Sequence, residues 1–158
     1  MRIAIYPGSF DPITKGHLDI IQRASTIFDK VIVVIMKNER KKYLFSEEER
    51  LDMIQHACAE MKNVQCDVGH GLTVRYAQEK NACAMIRGIR AVLDYEYELQ
   101  TATANMWLDG NVETVFFLAK PEYSFISSST VKEIASHKEN VDMFVDAYTA
   151  LKLKEKYE

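Results

Sequence analysis

Hydrophobic positions fall into two alternating kinds of block along this chain, and the change of period between them predicts its elements. Short apolar runs bounded by turn residues read as strands: Ile3-Ala4-Ile5, Val31–Met36, Val64–Val68, Ala82–Ile86 and Thr114–Ala119. Val31–Met36 is apolar throughout, as in a central strand buried on both faces. Between these runs the spacing turns helical. Leu18, Ile20, Ile21, Ala24, Ile27 and Phe28 recur on one helix face after the first strand. Ser46-Glu47-Glu48-Glu49 has the capping-box pattern and opens a helix to about Met61. Gly69-His70-Gly71 reads as a turn, followed by a short helix over Leu72–Lys80. Leu93–Leu108 predicts a long amphipathic helix, Ser127–His137 another, and Val141–Tyr157 one or two more. On the long helix, Leu93, Tyr95, Tyr97, Leu99, Met106 and Trp107 are expected to pack. Asp94 and Glu96 are expected to face solvent, and Glu98 to turn toward a site.

Strand and helix alternate, which implies parallel strands joined by right-handed crossovers with helices on both faces. The expected fold is α/β, a doubly wound five-stranded parallel sheet, formed as one domain over 1–158. Ligands of such sheets bind beyond the carboxyl ends of the strands, where strand order reverses. The polar residues suited to chemistry fall there. Ser9 and His17 follow the first strand, and Lys41 and Lys42 the second. Leu72 and Thr73 follow the third, and Arg87-Gly88-Ile89-Arg90 the fourth. Tyr123-Ser124-Phe125-Ile126-Ser127-Ser128-Ser129-Thr130 follows the fifth.

The first of these stretches, Tyr6-Pro7-Gly8-Ser9-Phe10-Asp11-Pro12-Ile13-Thr14-Lys15-Gly16-His17, joins strand to helix. Thr14 is placed to cap the helix. Gly16 clears the first turn, and His17 sits where free backbone N–H groups favour an anion. An imidazole there can donate to a phosphate oxygen, and Ser9 adds a hydroxyl. Arg87 and Arg90 offer planar forks of donors suited to phosphate. Gly88 between them permits a tight turn or a close approach. Of the hydroxyl run, one must cap the helix, and Thr130 with Glu133 fits a capping box. The others are free to meet a phosphate at a helix N-terminus. The spacing does not choose between Lys41 and Lys42 for the same task.

Composition narrows the partners. A net charge of −3 provides no basic field for nucleic acid. No apolar run approaches the roughly 20 residues of a membrane helix. The chain enters a strand at once, which argues against a signal peptide. Cys58, Cys66 and Cys83 are odd in number and follow no metal-ligand spacing; they are expected to be small buried residues of a reducing cytoplasm. The first strand is followed by no Gly-x-Gly-x-x-Gly, and no Walker Gly-Lys-Ser/Thr occurs. Gly-x-Ser-x-Gly is also missing, and the acidic residues and histidines form no cluster suited to a tightly held metal.

The pattern Gly-Ser-Phe-Asp-Pro-x-Thr-x-Gly-His resembles the nucleotidyltransferase signature, in its adenylyltransferase form. With Ile86–Ala91, Asp94–Glu98 and Tyr123–Lys132 in order, the whole chain resembles the bacterial phosphopantetheine adenylyltransferase family. The resemblance implies a Rossmann-like nucleotidyltransferase fold and transfer of the adenylyl group of ATP to 4′-phosphopantetheine. It further implies Mg²⁺ carried on the ATP phosphates and a cytoplasmic homohexamer. It puts Ser9, Phe10, His17, Gly88, Ile89, Arg90, Glu98 and the Tyr123, Ser124, Phe125, Ile126, Ser127, Ser128, Ser129 run at ATP. It puts Ser9, Lys41, Thr73 and Arg87 at the acceptor, and His17, Lys41 and Arg90 in catalysis. Three positions depart from or vary within the family's pattern: Tyr43 replaces a frequent proline, Thr73 is at a variable position, and Ser9 replaces a threonine seen in some members. A sister enzyme with another acceptor, such as nicotinate mononucleotide or glycerol phosphate, and a non-catalytic nucleotide-binding module are the alternatives.

Overall fold

The structure, a computed structural model, describes residues 1–158. The chain runs β1 (Ile3–Gly8), α1 (Lys15–Ile27), β2 (Lys30–Met36), α2 (Glu47–Ala57), β3 (Val64–Gly69) and α3 (Thr73–Glu79). It continues through β4 (Ala84–Ile89), α4 (Val92–Leu108), β5 (Glu113–Leu118), α5 (Ser128–Ser136) and α6 (Ala147–Tyr157). The five strands are all parallel, in the order β3-β2-β1-β4-β5. The expected α/β sheet is therefore present, with its order reversing between β1 and β4.

Side chains alternate across the sheet, and the core divides accordingly. Ala4, Tyr6, Val31, Val33, Ile35 and Ile86 point to one face, where α1, α2, α5 and α6 cover them. Ile3, Ile5, Ile32, Val34 and Met85 point to the other, where Tyr76 and Ala77 of α3 pack. Two of the caps legible in the sequence form as expected. Thr14 accepts from the His17 N–H, and Ser46 exchanges a reciprocal pair of bonds with Glu49.

Several boundaries differ. α2 stops at Ala57, because the chain turns at Cys58 and Met61 N–H bonds back to its carbonyl. β4 extends to Ile89, so Arg87 and Gly88 lie within the strand and pair with Phe116 and Phe117 of β5. α4 does not pack as expected. Leu93 is 78% exposed and Trp107 88%, and only Glu98 and Ala102 of this helix are buried. Of the cysteines, Cys58 alone is buried; Cys66 is half-buried and Cys83 exposed. No helix is long and apolar enough to cross a membrane.

The reversal point is also where the sheet opens. β1 pairs with β4 only through Ala4–Ala84 and Ile5–Met85. Beyond them the strands part, and the Arg87 guanidinium bridges the gap by donating to the Pro7 carbonyl at 3.0 Å. Pro7 offers no N–H, so it suits the point where β1 leaves the ladder.

Candidate active site

The opening between β1 and β4 widens into a cleft of about 490 Å³. Ser9, Phe10, His17, Lys41, Lys42, Arg87, Gly88, Arg90, Glu98, Tyr123, Ile126, Ser127, Ser128 and Ser129 all line it. Four of the expected residues do not. Ile89 is buried in the sheet, Ser124 bonds back to the Pro121 carbonyl, and Phe125 packs edge-on to Phe144. Thr73 lines a separate cavity of about 190 Å³ that shares only Pro7, Arg87 and Glu98 with the cleft. The hydroxyl of Thr114, buried without a partner, also lines this smaller cavity. A larger hollow of about 740 Å³, between the segment after α5 and α6, holds none of the expected residues.

His17 is held as the third residue of α1. Its Nδ1 accepts from the Thr14 N–H at 3.0 Å, so the imidazole fills the place glutamate takes in the usual capping box. That bond settles the tautomer. A ring nitrogen that accepts carries no proton, so the neutral imidazole carries it on Nε2. Burial first, then the charges of Arg90 and Arg87, lowers the pKa of His17 from 6.5 to about 4. The residue is therefore a neutral N–H donor at physiological pH. In proton NMR of the free protein, the His17 ring should titrate near 4. An inflection near 6.5 would contradict this arrangement.

Arg87 and Glu98 meet in a two-pronged ion pair, with both N···O distances 2.7 Å. Burial opposes the Arg87 charge, but the Glu98 carboxylate outweighs it and raises the Arg87 pKa. Glu98 thus turns into the cleft as expected, with both its oxygens facing Arg87. Arg90 reaches across the cleft to the Ile126 carbonyl at 2.9 Å and to Asp94 at 3.2 Å, joining the β4 loop to the hydroxyl run. Gly88 makes no turn. A Cβ there would stand 2.5 Å from Ile20 Cδ1, so the missing side chain lets α1 lie close on β4.

The hydroxyl run divides its work. Ser127, not Thr130, caps α5, because the helix begins at Ser128 and places the Thr130 N–H above the Ser127 hydroxyl at 3.1 Å. Ser128 donates to the Pro12 carbonyl, pinning α5 to the β1–α1 loop. Ser129 makes neither bond and lines the cleft beside the N-terminus of α5.

Three residues that hold the cleft together escaped the sequence reading. Asp11, 4% exposed, accepts from the Leu44 and Phe45 N–H groups and pairs with Lys132 at 2.8 Å. It fastens the loop after β2 to the loop after β1, and brings Lys132 to the cleft wall. Arg50 donates to the Ser9 carbonyl from α2. An aspartate set between Phe10 and Pro12 in the Gly-Ser-Phe-Asp-Pro stretch could have drawn attention to Asp11. Arg50, following three glutamates in the first turn of α2, carries no such mark.

A parallel sheet that opens at its switch point onto a capped helix, a neutral histidine, two arginines and a serine-lined helix start defines a nucleotidyltransferase. The family model described as cytidylyltransferase-like matches residues 5–134. A putative nicotinate-nucleotide adenylyltransferase from Vibrio parahaemolyticus superposes with a TM-score of 0.72 over 98% of this chain and 99% of its own, at 16% identity, which speaks for the fold alone. The sequence is 52% identical to the phosphopantetheine adenylyltransferase of Carboxydothermus hydrogenoformans, over 100% of this chain and 98% of that one. It is 54% identical to the enzyme of that name from Desulforudis audaxviator, over 87% and 84%. The chain belongs to the phosphopantetheine adenylyltransferase family.

Proposed function

We propose that this protein reversibly transfers the adenylyl group of ATP to the phosphate of 4′-phosphopantetheine, giving dephospho-coenzyme A and pyrophosphate, a step of coenzyme A synthesis. The observation that carries the reading is the tautomer-fixed, neutral His17 in one cleft with Arg87, Arg90 and Lys41. The acceptor phosphate, with its second pKa near ~6, is largely a dianion at neutral pH and needs no general base. A histidine held neutral near pH 7 by a pKa of about 4 suits a donor that stabilises charge better than one that shuttles protons.

In this reading the acceptor phosphate attacks the α-phosphorus in line, and pyrophosphate leaves. Bringing two anions together is the main obstacle, and placed cations and N–H donors offset it. His17 Nε2–H donates to the α-phosphate as its charge develops. Ser9, Lys41 and Arg87 hold the acceptor phosphate. Ser9, Phe10, Gly88, Ile89, Arg90, Glu98 and the 123–129 segment hold ATP, with Ser129 and the start of α5 toward its phosphates. Ile89, Ser124 and Phe125 would do so through main chain or framing, since their side chains lie outside the cleft. The smaller cavity around Thr73 suits the non-phosphate arm of the acceptor, with the unpaired Thr114 hydroxyl as a polar handle.

Magnesium fits this inventory as a passenger on the triphosphate. No group of three or more His, Cys, Asp or Glu could hold a metal, and Asp11, Asp94 and Glu98 are each engaged by a cation. When bound it would neutralise phosphate charge. The exposed apolar residues of α4, among them Val92, Leu93, Tyr97 and Trp107, support assembly into the homohexamer. A cytoplasmic setting and action of residues 1–158 as one domain complete the proposal.

The test is pyrophosphate release with ATP and Mg²⁺, comparing 4′-phosphopantetheine, nicotinate mononucleotide and no acceptor. Release with 4′-phosphopantetheine alone is expected; release with the mononucleotide instead would refute the acceptor. Lys41→Ala should raise the KM for the acceptor about tenfold or more and leave that for ATP within a few-fold. Both lysines line the cleft. If Lys42→Ala has that effect and Lys41→Ala does not, the assignment shifts by one residue.

A further inference from the structure

Arg50 is 3% exposed, and its partners are unusual for a buried cation. They are the Ser9 carbonyl at 2.8 Å, the Ser46 carbonyl at 3.3 Å, and the face of the Tyr43 ring, 4.1 Å from the guanidinium carbon. None is a carboxylate. An apolar side chain could fill the same space with far less desolvation, so packing alone does not account for an arginine here. Its planar fork, however, joins the Ser9 carbonyl of one loop to the Tyr43 ring of another.

One of these loops carries Ser9. The other carries Lys41 and Lys42, and Tyr43 closes it. The Tyr43 hydroxyl accepts from the Asn38 N–H at 2.8 Å and donates to the Asn38 carbonyl at 3.1 Å, and the Lys41 N–H donates to that same carbonyl at 3.0 Å. A continuous path therefore runs from Lys41 through Asn38 and Tyr43 to Arg50, and on to Ser9.

We infer that Arg50 is a positioning residue that sets the Lys41 loop against Ser9, so that lysine ammonium and serine hydroxyl meet one acceptor phosphate. Tyr43 is its partner in that role. The inference rests on the adenylyl-transfer reading for its kinetic consequence, though not for its structural one.

Arg50→Met keeps the volume and removes the fork. It should raise the acceptor KM tenfold or more while changing the ATP KM less than threefold. Tyr43→Leu should do the same, and the double variant should be little worse than either alone, because both break one path. Arg50→Lys, which can reach the Ser9 carbonyl without stacking on Tyr43, should recover part of the loss. Equal changes in both KM values, or a lowered Tm with both KM values unchanged, would overturn the inference. Hydrogen exchange supplies a readout independent of the reaction. In Arg50→Met, amides of 38–45 and those around Ser9 should exchange faster together, with the 50–57 stretch of α2 still protected. Unchanged exchange in both loops would overturn the inference even if the acceptor proved to be another phosphate.

Discussion

His17→Ala should lower kcat about a hundredfold or more, the loss typical of one preorganised donor at a reacting phosphate or oxyanion. The substitution also removes the acceptor of the Thr14 N–H, so it weakens the cap of α1. Loss of a capping bond costs roughly 0.5–2 kcal/mol, which a thermal melt would read as a drop of some degrees. The two effects separate in His17→Gln. A glutamine at the third helical position can accept the Thr14 N–H as in an ordinary capping box, so this variant should melt near the parent. Its amide would not reproduce the direction of the imidazole Nε2–H, so kcat should stay low. A glutamine variant with restored turnover would reduce His17 to a helix cap and remove it from the chemistry.

The depressed pKa adds a sign that can be checked. A histidine whose pKa is 6.5 unfolded and about 4 folded binds its proton more readily when the chain is unfolded. Between those values the unfolded state takes up more protons, so stability falls as pH drops through that window and is fully present above it. His17→Gln should flatten this part of the stability profile. Turnover, for its part, should show no inflection near 6.5 from this residue.

The sequence was most informative where local chemistry decides the outcome. The Thr14 cap and the Ser46-Glu49 capping box need only neighbours in the chain, and each formed as its residues indicated. The positions after strand ends led to the cleft because a parallel sheet converges its loops. What could not be read depends on distant contacts. The reason for Gly88 is Ile20 on another element. The partner of Glu98 is an arginine eleven positions earlier in the chain, on a different element. The choice of Ser127 over Thr130 as the cap follows from where α5 begins, at Ser128, whose hydroxyl donates to the distant Pro12 carbonyl. The amphipathic pattern of α4 predicts packing within the fold, yet most of its apolar residues stand exposed. Periodicity reports that a face is apolar and says nothing of what covers it.

Arg87→Ala should have the largest compound effect, because this side chain serves the architecture and the acceptor at once. A guanidinium has five N–H donors. Three are committed, two to the Glu98 carboxylate and one to the Pro7 carbonyl, which leaves two for a phosphate. Removing the side chain also strands the Glu98 carboxylate, whose side chain is only 11% exposed. Breaking a buried pair costs several kcal/mol; with Arg87 itself 32% exposed, roughly 3 kcal/mol or less is expected here. The acceptor kcat/KM should fall about a hundredfold or more. Arg87→Ala combined with Glu98→Gln separates the two roles. Neutralising Glu98 relieves the stranded charge, so the double variant should regain most of the lost stability in a denaturant melt. It restores no donor to the phosphate, so kcat/KM for the acceptor should stay low. Recovery of both together would mean that Arg87 acts only as the counterion of Glu98, and the acceptor phosphate would then have to be held by Lys41 and Ser9 without it.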